Sequence, residues 1–230
     1  MAAALDAVFF DIDDTLYSTS IFADTARRNA VDAMIALGLK VGREECIREL
    51  REVIQEFTTN YDKHFDKLLR RLPAKATEGM NPALVVAAGV VAYHETKYRD
   101  LKAYEDALEL LEALSRTAVI RGIITAGLTL KQAEKIIRLR IYEYLTPRAI
   151  FITDQIGISK PNPKLYEKCL QALDLEPGRC MYVGDNPTHD IDPPRTIGMI
   201  TVRHRRSGRF ADVHGLQPPD FEVRDFRELR

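Results

Sequence analysis

Three carboxylates fall within four positions, Asp11, Asp13 and Asp14, in the stretch AVFFDIDDTLY at 7–17. They follow directly on the apolar residues Val8, Phe9 and Phe10. Acids this close repel one another, and a divalent cation with oxygen ligands at about 2.0–2.1 Å offsets that repulsion. In an extended chain, residues two apart share a side. Asp11 and Asp13 can therefore face one site while Ile12 faces a core. Taken alone, the stretch can also be read as an acid-rich loop or a helix cap. Three later stretches add to it. VGDNPTHDI (183–191) carries Asp185 and Asp190 behind an apolar run, with Gly184 allowing backbone close to a ligand. ISKPNP (158–163) offers Lys160, a cation able to balance a nucleophilic carboxylate and a phosphate. IITAG (123–127) offers the Thr125 hydroxyl and the backbone N–H groups of Ala126 and Gly127 beside a helix start, which suits phosphate. A lone loop lysine or strand-end threonine is usually a surface or capping residue; it is the combination that carries information.

Such groups can act together only if the chain brings them to one edge. The run 7–11 is compact, apolar and rich in β-formers, as in a buried strand. Further strands are expected over 118–127, 148–154, 180–186 and 198–204, with a last short strand and helix in DFEVRDFREL. Helices are expected in YEDALELLEALSR, TLKQAEKIIRLR and PNPKLYEKCLQALDL, the last with proline near its start. Alternating strands and helices imply an α/β fold with a doubly wound, mostly parallel sheet. Ligands of such sheets bind beyond the carboxyl ends of the strands, where Asp11, Thr125 and Asp185 would lie. Residues 18 to about 100 have no strand signal. Helical periodicity runs to Gly38, resumes in GREECIRELREVIQEF, then in YDKHFDKLLRRLP, and again over 81–97. The expected division is an α/β core at 1–17 and 101–230 with an all-helical insert at 18–100.

Composition narrows the classes. With 230 residues the chain can bury a sizeable core. A net charge of −1 gives no basic excess for nucleic acid, and RHRRSGR (203–209) reads as a solvated loop. Cys46, Cys169 and Cys180 are odd in number and lack metal-ligand spacing, so they read as reduced thiols. The histidines share no ligand spacing, which argues against zinc. The N-terminus lacks signal-peptide features. The longest apolar run, 81–93, is shorter than the roughly 20 residues of a membrane span and reads as a buried helix. The expected location is the cytoplasm, without a membrane partner. Absent tryptophan, sparse Asn and Gln and abundant charge lean toward a thermophilic source.

In order and spacing, the four stretches resemble the motifs of the haloacid dehalogenase superfamily of hydrolases: DIDDT, Thr125 in IITAG, Lys160 in SKPNP, and GDNPTHD. The resemblance covers 7–17 and 105–202, and the insert at 18–100 matches the position of that family's helical cap in its first subfamily. The chain looks closest to the phosphatase-like branch that includes phosphoglycolate phosphatases. The resemblance implies a Rossmann-like core and a Mg2+-dependent phosphatase acting on a small phosphorylated metabolite. By the same resemblance, Asp11 is the nucleophile that forms an aspartyl-phosphate. Asp13 is the general acid and later base, its backbone carbonyl also ligating Mg2+. Thr125 binds a phosphate oxygen, Lys160 steadies Asp11 and the phosphoryl group, Asp185 ligates the metal directly with Asp11 also among its ligands, and Asp190 acts through water or from behind the direct ligands.

The sequence departs from the family pattern twice. The usual Thr-Asn-Gly is Thr125-Ala126-Gly127 here, which removes one amide contact, and Pro193 and Pro194 stand where Gly-Ala is usual. Dehalogenases of the superfamily lack the second acid of the first motif; Asp13 is present, which favours a leaving group that needs a proton. A phosphomutase, a dehalogenase and a non-catalytic anion- or partner-binding protein remain the alternatives. The cap is expected to set substrate choice, with Tyr17, Ser18, Phe22 and the stretch 58–65 as candidate contacts. Sugar phosphate, phosphoglycolate, glyceraldehyde phosphate and nucleotide monophosphate are all compatible, as are monomer and homodimer. Asp14 is expected to point away and to cap or pair locally.

Overall fold

The computed structural model describes residues 5–206 and 208–229. In chain order the elements are β1 (Ala7–Phe10), α1 (Thr19–Ala36), α2 (Arg43–Phe57), α3 (His64–Arg71), α4 (Pro82–Asp100), α5 (Glu105–Ser115) and β2 (Ile120–Thr125). Then come α6 (Thr129–Arg138), β3 (Ile150–Ile152), α7 (Thr153–Ile156), α8 (Lys164–Gln171), β4 (Cys180–Gly184), α9 (Asp192–Thr196), β5 (Ile200–His204) and β6 (Phe221–Val223). Two compact units result: Met1–Ser20 with Lys102–Arg230, and Ile21–Leu101.

The first unit is α/β. Its six strands form one parallel sheet in the order β3-β2-β1-β4-β5-β6. β1 is buried along its whole length, as a central parallel strand covered on both faces must be. Phe9 and Phe10 are fully buried, each worth about 1.5–3 kcal/mol of apolar transfer. Phe10 lies opposite Ile123 of β2 and Val183 of β4, so the chain leaves all three strands at the same edge. The strand order reverses about β1, the place where open sheets form a ligand crevice. The expected strand at 148–154 is shorter, because Thr153 already starts α7.

The second unit is helical. Val31 and Met34 of α1, Cys46, Ile47 and Leu50 of α2, Leu68 of α3 and Val85 of α4 make its core. Their three- and four-residue spacing is that of helices with one apolar stripe. Asn81 caps α4 by accepting from the Ala83 N–H at 2.9 Å, with Pro82 in the first turn. Contrary to expectation, α4 is buried on one side only. Val85, Gly89 and Thr96 face inward, whereas Leu84, Val91 and Tyr98 are exposed. Small and apolar residues all round the helix hide which stripe packs. Among the described residues no helix is long and apolar enough to cross a membrane.

The basic run at 203–209 is also not a solvated loop. Arg203 and His204 lie in β5 and are buried. Arg206 grips both oxygens of buried Asp106 at 2.8 and 2.6 Å, and Arg209 pairs with Asp14. The ion-pair partners of these arginines are distant in sequence, so the cluster reads as solvated until the fold is known. The three cysteines are buried free thiols. Burial pushes them up, to about 11 for Cys46 and Cys180 and about 12 for Cys169.

His204 stacks on Phe226 with ring centres 4.5 Å apart. Burial, helped by Arg206, lowers its pKa to about 4 from an ordinary 6.5. Between those values the unfolded chain binds the proton and the folded chain does not, so stability falls as pH drops from 6.5 toward 4. This contribution is on the order of 3 kcal/mol. His204→Phe should show a correspondingly shallower loss than wild type in denaturant melts over that range; parallel curves would refute it.

Candidate active site

Asp11 is the first residue beyond β1. Its N–H donates to Val183 O at 2.9 Å, which extends the ladder by one residue and fixes the side chain at the sheet edge. Asp185 occupies the same place beyond β4, and Thr125 ends β2. Lys160 arrives from the loop before α8. Its Nζ donates to Asp11 Oδ1 at 2.8 Å, Asp190 Oδ1 at 2.6 Å and the Tyr182 hydroxyl at 2.7 Å. Tyr182 in turn donates to Ile124 O at 2.7 Å. The Lys160 side chain is only 4% exposed. Burial opposes its charge, but Asp11 and Asp190 outweigh burial and keep the ammonium protonated well above its ordinary range.

Asp190 sits in a π-helical turn, Pro187–Ile191, that folds back on β4. Its second oxygen accepts from the Asn186 N–H at 3.0 Å. Gly184 makes this return possible, because a Cβ there would lie 2.4 Å from Asp190 Cβ and 2.5 Å from its Cγ. Carboxylate oxygens of Asp11, Asp185 and Asp190 all lie within 4.8 Å of one another. Burial, then Asp190 and Asp11, raise Asp185 to about 9. Burial, against the pull of Lys160, raises Asp11 to about 6. Asp185 Oδ2 is buried without a hydrogen-bond partner among the described residues.

These observations fit a divalent cation. Three carboxyls around one ammonium would carry two surplus negative charges when ionised, the donors are hard oxygens, and one of them is orphaned among the described residues. Asp11, Asp185 and Asp190 could hold such an ion.

Asp13 turns elsewhere. Its Oδ1 accepts from Tyr17 Oη at 2.6 Å, Thr19 Oγ1 at 2.8 Å and Lys135 Nζ at 2.7 Å. Its Oδ2 accepts from Lys135 Nζ at 2.6 Å and Gln132 Nε2 at 3.3 Å. Burial would raise this carboxyl, but Lys135 and the hydroxyls outweigh burial and lower its pKa. The carboxyl of Asp13 is thus outside the three-carboxylate cluster. Thr125 is fully buried and its hydroxyl lies 3.5 Å from Gln132 Oε1. Gln132 Nε2 donates to Ala126 O at 2.9 Å, and the Gly127 N–H donates to Thr153 Oγ1 at 3.2 Å. Gly127 has φ +141°, and a Cβ there would meet Gln132 Nε2 at 2.5 Å. Asp14 also takes a left-handed backbone, φ 56°. It accepts from Ser20 N–H at 3.2 Å as a cap on α1, but its ion pair, with Arg209 at 3.0 Å, is not local.

Three contributors were not identified from the sequence. Tyr182 alternates inward in CMYVG, and a buried tyrosine hydroxyl needs a partner; that signal was present. Gln132 and Lys135 gave none, since both look like ordinary polar positions of an amphipathic helix.

A family model for haloacid dehalogenase-like hydrolases matches residues 5–198. The glyceraldehyde 3-phosphate phosphatase of Methanopyrus kandleri is 44% identical over 98% of this chain and 95% of its own. That of Pyrococcus furiosus is 38% identical over 97% of this chain and 88% of its own. The crystal structure of a phosphatase of the same superfamily from Thermococcus onnurineus superposes with a TM-score of 0.67, at 24% identity, over 98% of this chain and 96% of its own.

Gly184→Ala should cost about 1–3 kcal/mol of stability by overpacking and should displace Asp190. The expected readouts are a lower denaturant midpoint and loss of the rise in melting temperature caused by a divalent cation. An unchanged rise would show that Asp190 does not depend on this approach.

Proposed function

Because the chain belongs to the haloacid dehalogenase-like hydrolases, we propose that it is a Mg2+-dependent phosphatase whose substrate is glyceraldehyde 3-phosphate, with Ile21–Leu101 as its cap domain. The observation that carries this reading is the meeting of Asp11, Lys160, Asp185 and Asp190 where β1 and β4 end. The substrate follows from the names of relatives aligned over nearly the whole chain.

Asp11, Asp185 and Asp190, with the backbone carbonyl of Asp13, would hold Mg2+. When bound, the ion supplies positive charge to the carboxylates and the phosphoryl oxygens. Lys160 neutralises Asp11 and meets a second phosphoryl oxygen, while the Thr125 hydroxyl and the backbone at Ala126 and Gly127 bind the others. A carboxylate oxygen of Asp11 attacks phosphorus, the ester P–O bond breaks, and Asp13 gives its proton to the departing alkoxide. A phosphate monoester, with a second pKa of about 6, arrives partly as its monoanion and can bring that proton to Asp13. Asp13, again a carboxylate, then takes a proton from water as the water attacks the phosphorus of the acyl phosphate. Free phosphate leaves and Asp11 is restored. The carboxyl at position 13 serves an alkoxide leaving group and would be idle for a halide.

The test is phosphate release from glyceraldehyde 3-phosphate. Turnover should require Mg2+, stop with EDTA, and fall by at least about a thousandfold in Asp11→Asn. Phosphate release that survives Asp11→Asn would sink the nucleophile assignment. Turnover of other phosphate esters with none of glyceraldehyde 3-phosphate would sink the substrate.

A further inference from the structure

Asp13 has a lysine of its own. Lys135 Nζ reaches both Asp13 oxygens, at 2.7 and 2.6 Å, from α6, 122 residues away in sequence. Among the described residues its ion pair is with Asp13 alone. The pair is largely withdrawn from water, with side-chain exposures of 17% for Lys135 and 26% for Asp13. It is therefore held more firmly than a surface pair, which is worth little. Gln132 stands three residues earlier on the same side of α6 and touches Asp13 Oδ2 at 3.3 Å.

The two oxygens are treated unequally. Oδ1 takes Tyr17, Thr19 and Lys135 and is saturated. Oδ2 takes Lys135 and one long contact from Gln132, and so has one donor fewer than Oδ1. Tyr17 and Thr19 belong to the same short segment as Asp13 and would move with it. Lys135 and Gln132 tie the carboxyl to α6, and Gln132 also holds Ala126 O. We propose that Lys135 is a positioning residue for the reaction: it anchors the Asp13 carboxyl to α6 so that Oδ2 is aimed at the departing oxygen of the ester. The proposal rests on the proton-donor role given to Asp13 above.

Positioning of a proton donor has a signature that mere structural support lacks. A group that hands over a proton matters for an alkoxide and hardly at all for a leaving group stable as an anion. Lys135→Met, Lys135→Gln and Lys135→Arg should be assayed, with Asp13→Asn beside them, on glyceraldehyde 3-phosphate, p-nitrophenyl phosphate and acetyl phosphate, by the single-turnover rate at which the leaving group is released, before Asp13 acts as a base. For both neutral variants this rate on glyceraldehyde 3-phosphate should fall about tenfold or more. KM should change by less than about threefold, and the release rate on the two activated substrates by less than about twofold. Lys135→Arg should restore most of the loss. An equal loss on all esters, a loss confined to KM, or a gain on glyceraldehyde 3-phosphate would overturn the role of Lys135. If Asp13→Asn shows the leaving-group dependence and the Lys135 variants do not, only this proposal fails. If Asp13→Asn itself shows none, the proton-donor role fails and this proposal with it.

Discussion

Repulsion among Asp11, Asp13 and Asp14 is the constraint that shapes this site, and the fold meets it by giving each acid a separate cation. Asp11 has Lys160 from the loop before α8, Asp13 has Lys135 from α6, and Asp14 has Arg209 from beyond β5. Among the described residues no two share a cation. Burying an ammonium or a carboxylate costs several kcal/mol unless the opposite charge is well placed. Each pairing therefore demands that its own stretch of chain be in register with the end of β1. The order of strands about β1, the return of the turn 187–191 onto β4, and the docking of α6 all serve that demand.

The pairing also gives neighbouring acids different surroundings. Asp11 remains with Asp185 and Asp190 in a cluster whose surplus negative charge suits a divalent ion. Asp13 is one residue removed from that cluster through Ile12, which is fully buried, and is held by hydroxyls, an amide and an ammonium. Two carboxyls two positions apart thus meet opposite surroundings. Asp11 is pushed up to about 6 and Asp13 is lowered.

Much of this was legible in the sequence. The central strand, the alternation of strand and helix, and the arrival of Asp11, Thr125 and Asp185 at one edge follow from apolar runs that stop at polar residues. The meeting of Lys160 with Asp11 came from motif order, since nothing in SKPNP itself says what the lysine will touch. Lys135 and Gln132 were invisible because a helix shows which of its faces is polar but not what that face meets. The run 203–209 misled for a related reason: charge is local in the sequence, whereas the partners Asp106, Asp14 and Glu222 lie on other elements. α4 misled because its apolar residues extend beyond the stripe that packs.

The place of β1 has a consequence for how the molecule comes into being. β1 precedes the other five described strands in the chain and ends at the middle of the sheet, between β2 and β4. Those neighbours begin at Ile120 and Cys180. A growing chain therefore carries the wholly apolar run AVFF with both ladder edges bare until β2 is made, and with one edge bare until β4 follows. Pairings of such wide sequence separation form slowly, and an unpaired apolar strand is a template for association with other chains. The acids that follow place charge beside that run while it waits. The residues that later serve the site can thus shield the nascent strand, and Asp11 reaches Lys160, 149 residues onward, only when the sheet closes around it.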